Sequence, residues 1–173
     1  MTLVLNGTTG ISAVDGSAAT PAIQGNDTNT GVFFPAADTV AIATGGTERV
    51  RVNGSGDFQF NSGYGSVATA YACRAWVNFN GVGTVSITAS GNCSSITDNG
   101  VGDYTVNFAN ALVDANYNFV TNSSNTTSAN ILCIAQLNWD NPTKSTTALR
   151  LYNLKSNTGA LTDQNTISVS IFR

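Results

Sequence analysis

Few residues in this 173-residue chain are able to do chemistry. Histidine is absent. That removes the commonest acid and base near neutral pH, along with every Ser-His-Asp, Cys-His or His-ligated zinc arrangement. The three cysteines, Cys73, Cys93 and Cys133, stand far apart. They fit neither a CxxC zinc site nor a disulfide framework, and an odd count leaves at least one thiol unpaired within the chain. They read first as small apolar residues, and otherwise as residues for a disulfide or cross-link. Carboxylates remain. Asp98 and Asp103 flank Asp98-Asn99-Gly100-Val101-Gly102-Asp103, with Asp57 and Asp114 elsewhere. A glycosidase needs two carboxyls about 5–10 Å apart across a cleft, one of them in apolar surroundings. A hydrophilic Gly-rich turn supplies no such desolvation. Oxygen ligands in a Gly turn suit Ca²⁺, which makes Asp98 and Asp103 the candidate metal ligands. Asp-Asn-Gly is also ordinary turn chemistry, and a plain turn is the reading adopted. Gly45-Gly46 and Gly54-x-Gly56 open no helix and precede no P-loop lysine. No catalytic residue, cofactor or enzymatic activity is expected.

Composition dictates the elements that position these residues. Asn, Ser and Thr number 60, while Lys occurs twice and Glu and Met once each. The best formers of exposed helix are nearly missing. Charged residues are 10% of the chain, against roughly 25% on average, and hydrophobic residues are 42%. A loop-rich, all-β protein follows. Seven cations against a net charge of −3 give no basic patch for nucleic acid. No apolar run reaches the ~20 residues of a membrane-inserted helix. Met1-Thr-Leu-Val-Leu-Asn is no signal peptide, so synthesis in a cytoplasm without export is expected.

Three segments are expected along the chain. Residues 1–30 carry few large apolar side chains, chiefly Leu3, Leu5, Ile11, Val14 and Ile23. They read as an extended attachment arm ordered on a neighbour. Residues 31–72 read as a β-meander. T-V-A-I-A-T and T-E-R-V-R-V alternate about Gly45-Gly46, a strong hairpin signal. Strands this short cannot bury their own face, so Val40, Ile42, Val50, Val52, Phe58 and Phe60 need a partner surface. Residues 73–173 read as an antiparallel, jelly-roll-like β-sandwich of eight short strands. Ala75, Val77 and Phe79, then Tyr104, Val106 and Phe108, face inward. Trp76 lies opposite Val77 and suits a subunit interface, a two-sided core or stacking on a glycan.

Several stretches then resemble a known class. Gly10-Ile11-Ser12-Ala13-Val14-Asp15-Gly16 and Asp27-Thr28-Asn29-Thr30-Gly31-Val32-Phe33-Phe34-Pro35 are similar to a module of tailed-bacteriophage fibres and other virion-surface proteins. Gly45-Gly46-Thr47-Glu48-Arg49-Val50-Arg51-Val52-Asn53-Gly54-Ser55-Gly56 resembles a fibre-shaft phrase that often reads E-R-M-R-I-D-S-S-G-N. Ala75-Trp76-Val77-Asn78-Phe79-Asn80-Gly81, Gly102-Asp103-Tyr104-Thr105-Val106-Asn107-Phe108 and the ending Val169-Ser170-Ile171-Phe172-Arg173 resemble phage-type C-terminal domains. The resemblance implies a trimeric, non-enzymatic virion protein made in a host cytoplasm. It would be a short fibre or spike whose interface includes the six meander residues and Trp76, and whose C-terminal domain meets a host glycan or receptor. No long shaft and no separate tail-attachment domain accompany the module. That favours, as an alternative, a capsid or neck decoration protein clamping other virion proteins through its arm. A polysaccharide depolymerase ranks last.

Overall fold

The computed structural model describes residues 4–7, 10–12, 14–124, 133–137 and 144–173. Among them every regular element is a β-strand, and the sheets are antiparallel. The chain separates into two units, Met1–Ala70 and Tyr71–Arg173.

In the first unit, β1 (Val4–Asn6) and β2 (Gly10–Ser12) pair only with each other, Leu5 opposite Ile11. Leu3 and the side chains of Leu5 and Ile11 lie outside the described residues. A six-stranded meander follows in chain order: β3 (Ile23–Gln24), β4 (Gly31–Phe33), β5 (Val40–Thr44), β6 (Thr47–Val52), β7 (Phe58–Phe60) and β8 (Ala68–Thr69). The β5–β6 turn uses Gly45 and Gly46 at φ 58° and 73°, the left-handed pair that a two-residue hairpin requires.

The free arm expected over residues 1–30 is corrected for its second half. Asp15 accepts from the Phe34 amide at 2.8 Å, and Asn29 from the Gly46 amide at 2.8 Å. The Thr30 hydroxyl donates to Asp27 at 2.7 Å and accepts from the Gly45 amide at 3.2 Å. Ile23 begins a strand of the meander itself. Ala18 packs on a small core of Phe33, Ala41 and Ala43, the two alanines being 1% and 0% exposed. Counting large apolar side chains missed this anchoring, because backbone bonds and alanines provide it.

The second unit contains β9 (Cys73–Asn80), β10 (Ser86–Gly91), β11 (Cys93–Gly100), β12 (Asp103–Phe108), β13 (Asn118–Ser124), β14 (Cys133–Leu137), β15 (Ala148–Lys155) and β16 (Thr166–Phe172). All eight form one sheet in the order β10-β9-β16-β13-β14-β15-β12-β11. This order does not divide into the two separate sheets of a jelly roll. The sheet closes over its own apolar face instead, in a sandwich-like arrangement. Phe79 of β9 and Tyr104 of β12 meet edge to face at 5.2 Å, although four strands lie between them in the ladder. Ala75, Val77, Phe79, Tyr104, Val106 and Phe108 are buried as alternation requires, with Leu149, Leu151, Ile167, Val169 and Ile171. Strand β13 runs on to Ser124. There Thr121 and Ser123 continue the inward alternation opposite Val169 and Ile167. In β10 a bulge between Ile87 and Ala89 breaks the expected alternation and leaves both residues exposed.

The β11–β12 turn depends on Gly102. Its φ is +65°, and a Cβ there would lie 2.5 Å from the Thr162 nitrogen and 2.6 Å from the Asn153 carbonyl. Gly83 has a similar φ of +70° with open space around it. Gly83→Ala should therefore cost about 1–2 kcal/mol, the left-handed penalty of an L residue. Gly102→Ala should cost substantially more, because backbone must also move. Urea unfolding of the two variants checks this, and equal losses would refute the close approach.

Candidate functional site

The two sequence-predicted aspartates do not converge. Opposite residues of an antiparallel pair share a face, and Asp98 stands opposite Tyr104. Asp98 therefore lies on the Tyr104 side and Asp103, its neighbour along β12, on the other. Asp98 is exposed and accepts from the Gly100 amide at 3.0 Å, a turn contact. Asp103 is buried and held by Arg150 of β15, which donates through Nε at 3.0 Å and Nη2 at 2.7 Å. A guanidinium already neutralises the carboxylate that a cation would use, so the Ca²⁺ candidate is corrected to a structural ion pair. Among the described residues no group of three or more His, Cys, Asp or Glu could hold a metal.

Sequence reasoning missed Asp163. Its carboxylate accepts from the Gly102 amide at 2.7 Å and the Tyr104 hydroxyl at 2.6 Å. Burial, and then this carboxylate, push the Tyr104 phenol far above its usual range. Only the three-dimensional approach of two segments about sixty residues apart in the chain reveals the pairing.

Cys73 and Cys93 are both free thiols. Cys73 is free and exposed, its thiol donating to the Ala75 carbonyl at 3.3 Å. It is not the buried residue that its place in the alternation suggests, because it sits at the very start of β9 beside a register shift. Cys93 is free and half-buried, its thiol pushed up by burial. The side chain of Cys133 lies outside the described residues.

The expected interface residues of the first unit do converge. Cross-strand register places Ile23, Val32, Ile42, Val50 and Phe60 in one row across β3–β7. Val40, Val52 and Phe58 form a second row on the same face. Six of these eight, from Val52 at 40% to Phe58 at 52%, are exposed large hydrophobics. A shallow hollow of about 120 Å³ opens between Val40, Ile42, Val50, Val52 and Phe58, beside Arg51. Ile23 and Val32 extend the face that the sequence assigned to six residues. The opposite face is small or polar apart from the buried Phe33. It carries Phe33, Ala41 and Ala43, the Glu48–Arg51 ion pair, Gln59 and Thr69. Val50 and Arg51, adjacent in sequence, thus serve opposite faces. Trp76, in the second unit, stands on the outer face of β9 against Gly91, where an added Cβ would lie 2.4 Å from the indole nitrogen.

Comparisons with protein-family models, curated proteins and solved structures return no match for this chain.

The Asp103–Arg150 pair makes two outcomes definite. Adding Ca²⁺ or EDTA should leave the melting temperature unchanged in calorimetry, and a drop of many degrees on chelation would contradict the ion-pair assignment. Asp103→Asn should destabilise the protein by about 2–4 kcal/mol in chemical denaturation. That is below the roughly 3–5 kcal/mol for breaking a fully enclosed pair, because the Arg150 side chain keeps 21% of its exposure.

Proposed function

We propose that this chain is a non-enzymatic structural protein of a tailed-phage virion. It acts as a homotrimer, a short fibre or spike joined through the first unit, with the second unit facing the host. The observation that carries the reading is the two-row apolar face of the meander. Contiguous apolar surface of this kind marks association sites on soluble proteins. Completing the burial of side chains that are already half covered contributes roughly 1 kcal/mol each. The two rows are themselves apolar, with Arg49 at their margin bonded to the Thr44 hydroxyl at 2.9 Å, so association through them is chiefly apolar, in keeping with a chain of only seven cations. The resemblance of the Gly45–Gly56 phrase to fibre shafts supports three copies rather than two.

The non-enzymatic part rests on chemistry. Histidine is missing, Asp103 is engaged by Arg150, and Asp98 and Asp103 lie on opposite faces of their hairpin. A second reading, decoration of the capsid or neck, draws on the β1–β2 hairpin. It forms a two-stranded sheet of its own, and its strand edges suit pairing with a neighbour's strands. Electron microscopy of labelled virions separates the two by position.

Light scattering on the purified protein should give three times the chain mass of 17.9 kDa. Ile42→Ser with Phe58→Ser should convert it to monomers while circular dichroism stays β-rich. A stable wild-type monomer defeats the proposal. Host polysaccharide incubated with the protein should release no defined product, and release that is lost with Asp98→Asn would establish a depolymerase instead.

A further inference from the structure

We infer that a cleft on the second unit is a subsite for one neutral hexose ring of a surface saccharide. The cleft encloses about 380 Å³ and is lined by Tyr71, Asn116, Asn118, Phe172 and Arg173. That volume lies within the roughly 300–1,000 Å³ of small-ligand sites. Only the source of the sugar, a host surface, rests on the function proposed above; the binding itself does not.

The lining supplies the two kinds of contact that a sugar ring needs. The first is an aromatic face. Tyr71 is 68% exposed and Phe172 is also exposed, an arrangement that leaves ring surface in water. Rings of this kind can stack on the C–H face of a hexose. The second is a set of fixed polar groups. Asn118 and Phe172 are cross-strand partners on the outer face of β13 and β16. The Asn118 side-chain oxygen accepts from the Phe119 amide at 2.9 Å, which leaves its NH₂ as a double donor. Arg173 is held by Asp114 through Nε at 3.0 Å and Nη2 at 2.5 Å. The Asn116 amide donates to the same carboxylate at 2.7 Å. The guanidinium and Asp114 therefore form a rigid planar unit that can receive adjacent hydroxyls.

Charge selects the class of ligand. The one cation of the cleft is neutralised by Asp114, and the whole chain carries −3. A sialic or uronic acid would find no unpaired positive group here, whereas a neutral hexose needs none. Trp76 extends the same platform. It stands opposite Ser170 on the outer face, two residues from Phe172 and so about 7 Å along the strand. A second sugar ring could continue in that direction.

Saturation-transfer NMR on the full chain tests the subsite. The probes are the methyl glycosides of glucose, galactose and N-acetylglucosamine, with sialic and glucuronic acids for comparison. At least one neutral glycoside should receive saturation, and the acids should receive none. Tyr71→Ala and Asn118→Ala should each weaken binding about fivefold to tenfold, the scale of one aromatic contact or bond. Val101→Ser, at the exposed β11–β12 turn, should leave it unchanged. All three side chains are exposed, and circular dichroism verifies that the variants fold. Saturation by no neutral glycoside, saturation by the acids alone, or a signal that survives the Tyr71→Ala/Asn118→Ala double variant overturns the inference. A monomer that still binds the sugar would retire the trimer and keep the subsite. A trimer that binds none would do the reverse.

Discussion

Tyr104 is the residue on which the second unit turns. Its ring fills the interior against Phe79, and the one proton of its hydroxyl is shared between Asp163 at 2.6 Å and the more distant Gly81 carbonyl at 3.1 Å. Those two acceptors belong to separate crossings at one end of the sheet. Gly81 also donates its amide to the Gln164 carbonyl, and Asp163 receives the Gly102 amide. One side chain thus ties together the β9–β10 turn, the β11–β12 turn and the approach to β16. A buried hydroxyl is tolerated in an apolar interior only when bonded, so the end of the sheet is built around satisfying it. At the edge, Asn92 plays a smaller version of this part. Its φ is 54°, and its side chain links Arg74, Asn110 and its own turn.

The first unit obeys a different constraint. Its sheet has two unlike faces, and strand parity decides which residue goes where. Small residues on one side let the chain before β3 lie close enough for Ala18 to pack on Ala41 and Ala43. Large residues collect on the other side, where six of them are exposed. The Glu48–Arg51 pair sits on the small face, which keeps those two charges off the apolar rows. A short meander is therefore stabilised on one side from within and left incomplete on the other.

What the sequence made legible follows from these constraints. The period-2 alternation over Ala75–Phe79 and Tyr104–Phe108 and the Gly45-Gly46 turn are local signals, and each predicted face matches the structure. The apolar face was legible for the same reason, except that Ile23 and Val32 lie in strands too short to show a period. The anchoring of residues 14–30 was not legible, since alanines and backbone amides leave no hydrophobic pattern. Nor was the fate of Asp103. Its partner Arg150 is 47 positions away, and no single-strand pattern reports which strand will lie beside which. Asp163 and the Tyr71 cleft were hidden similarly, being assembled from residues distant in sequence.

The ion pairs carry a further meaning for how this molecule meets its surroundings. Arg51, Arg150 and Arg173, three of its seven cations, are each spent on an internal carboxylate. Asn, Ser and Thr outnumber the charged residues 60 to 17, so most of its polar side chains are amides and hydroxyls, groups that bind water without attracting counterions. Ionic strength screens exposed charge over a Debye length of roughly 8–10 Å, but it has little to act on here. Salts that are excluded from protein surfaces strengthen apolar burial. The assembly of such a surface would tighten in brine and hold its form from fresh water to sea water, a tolerance that comes from withdrawing charge rather than from balancing it.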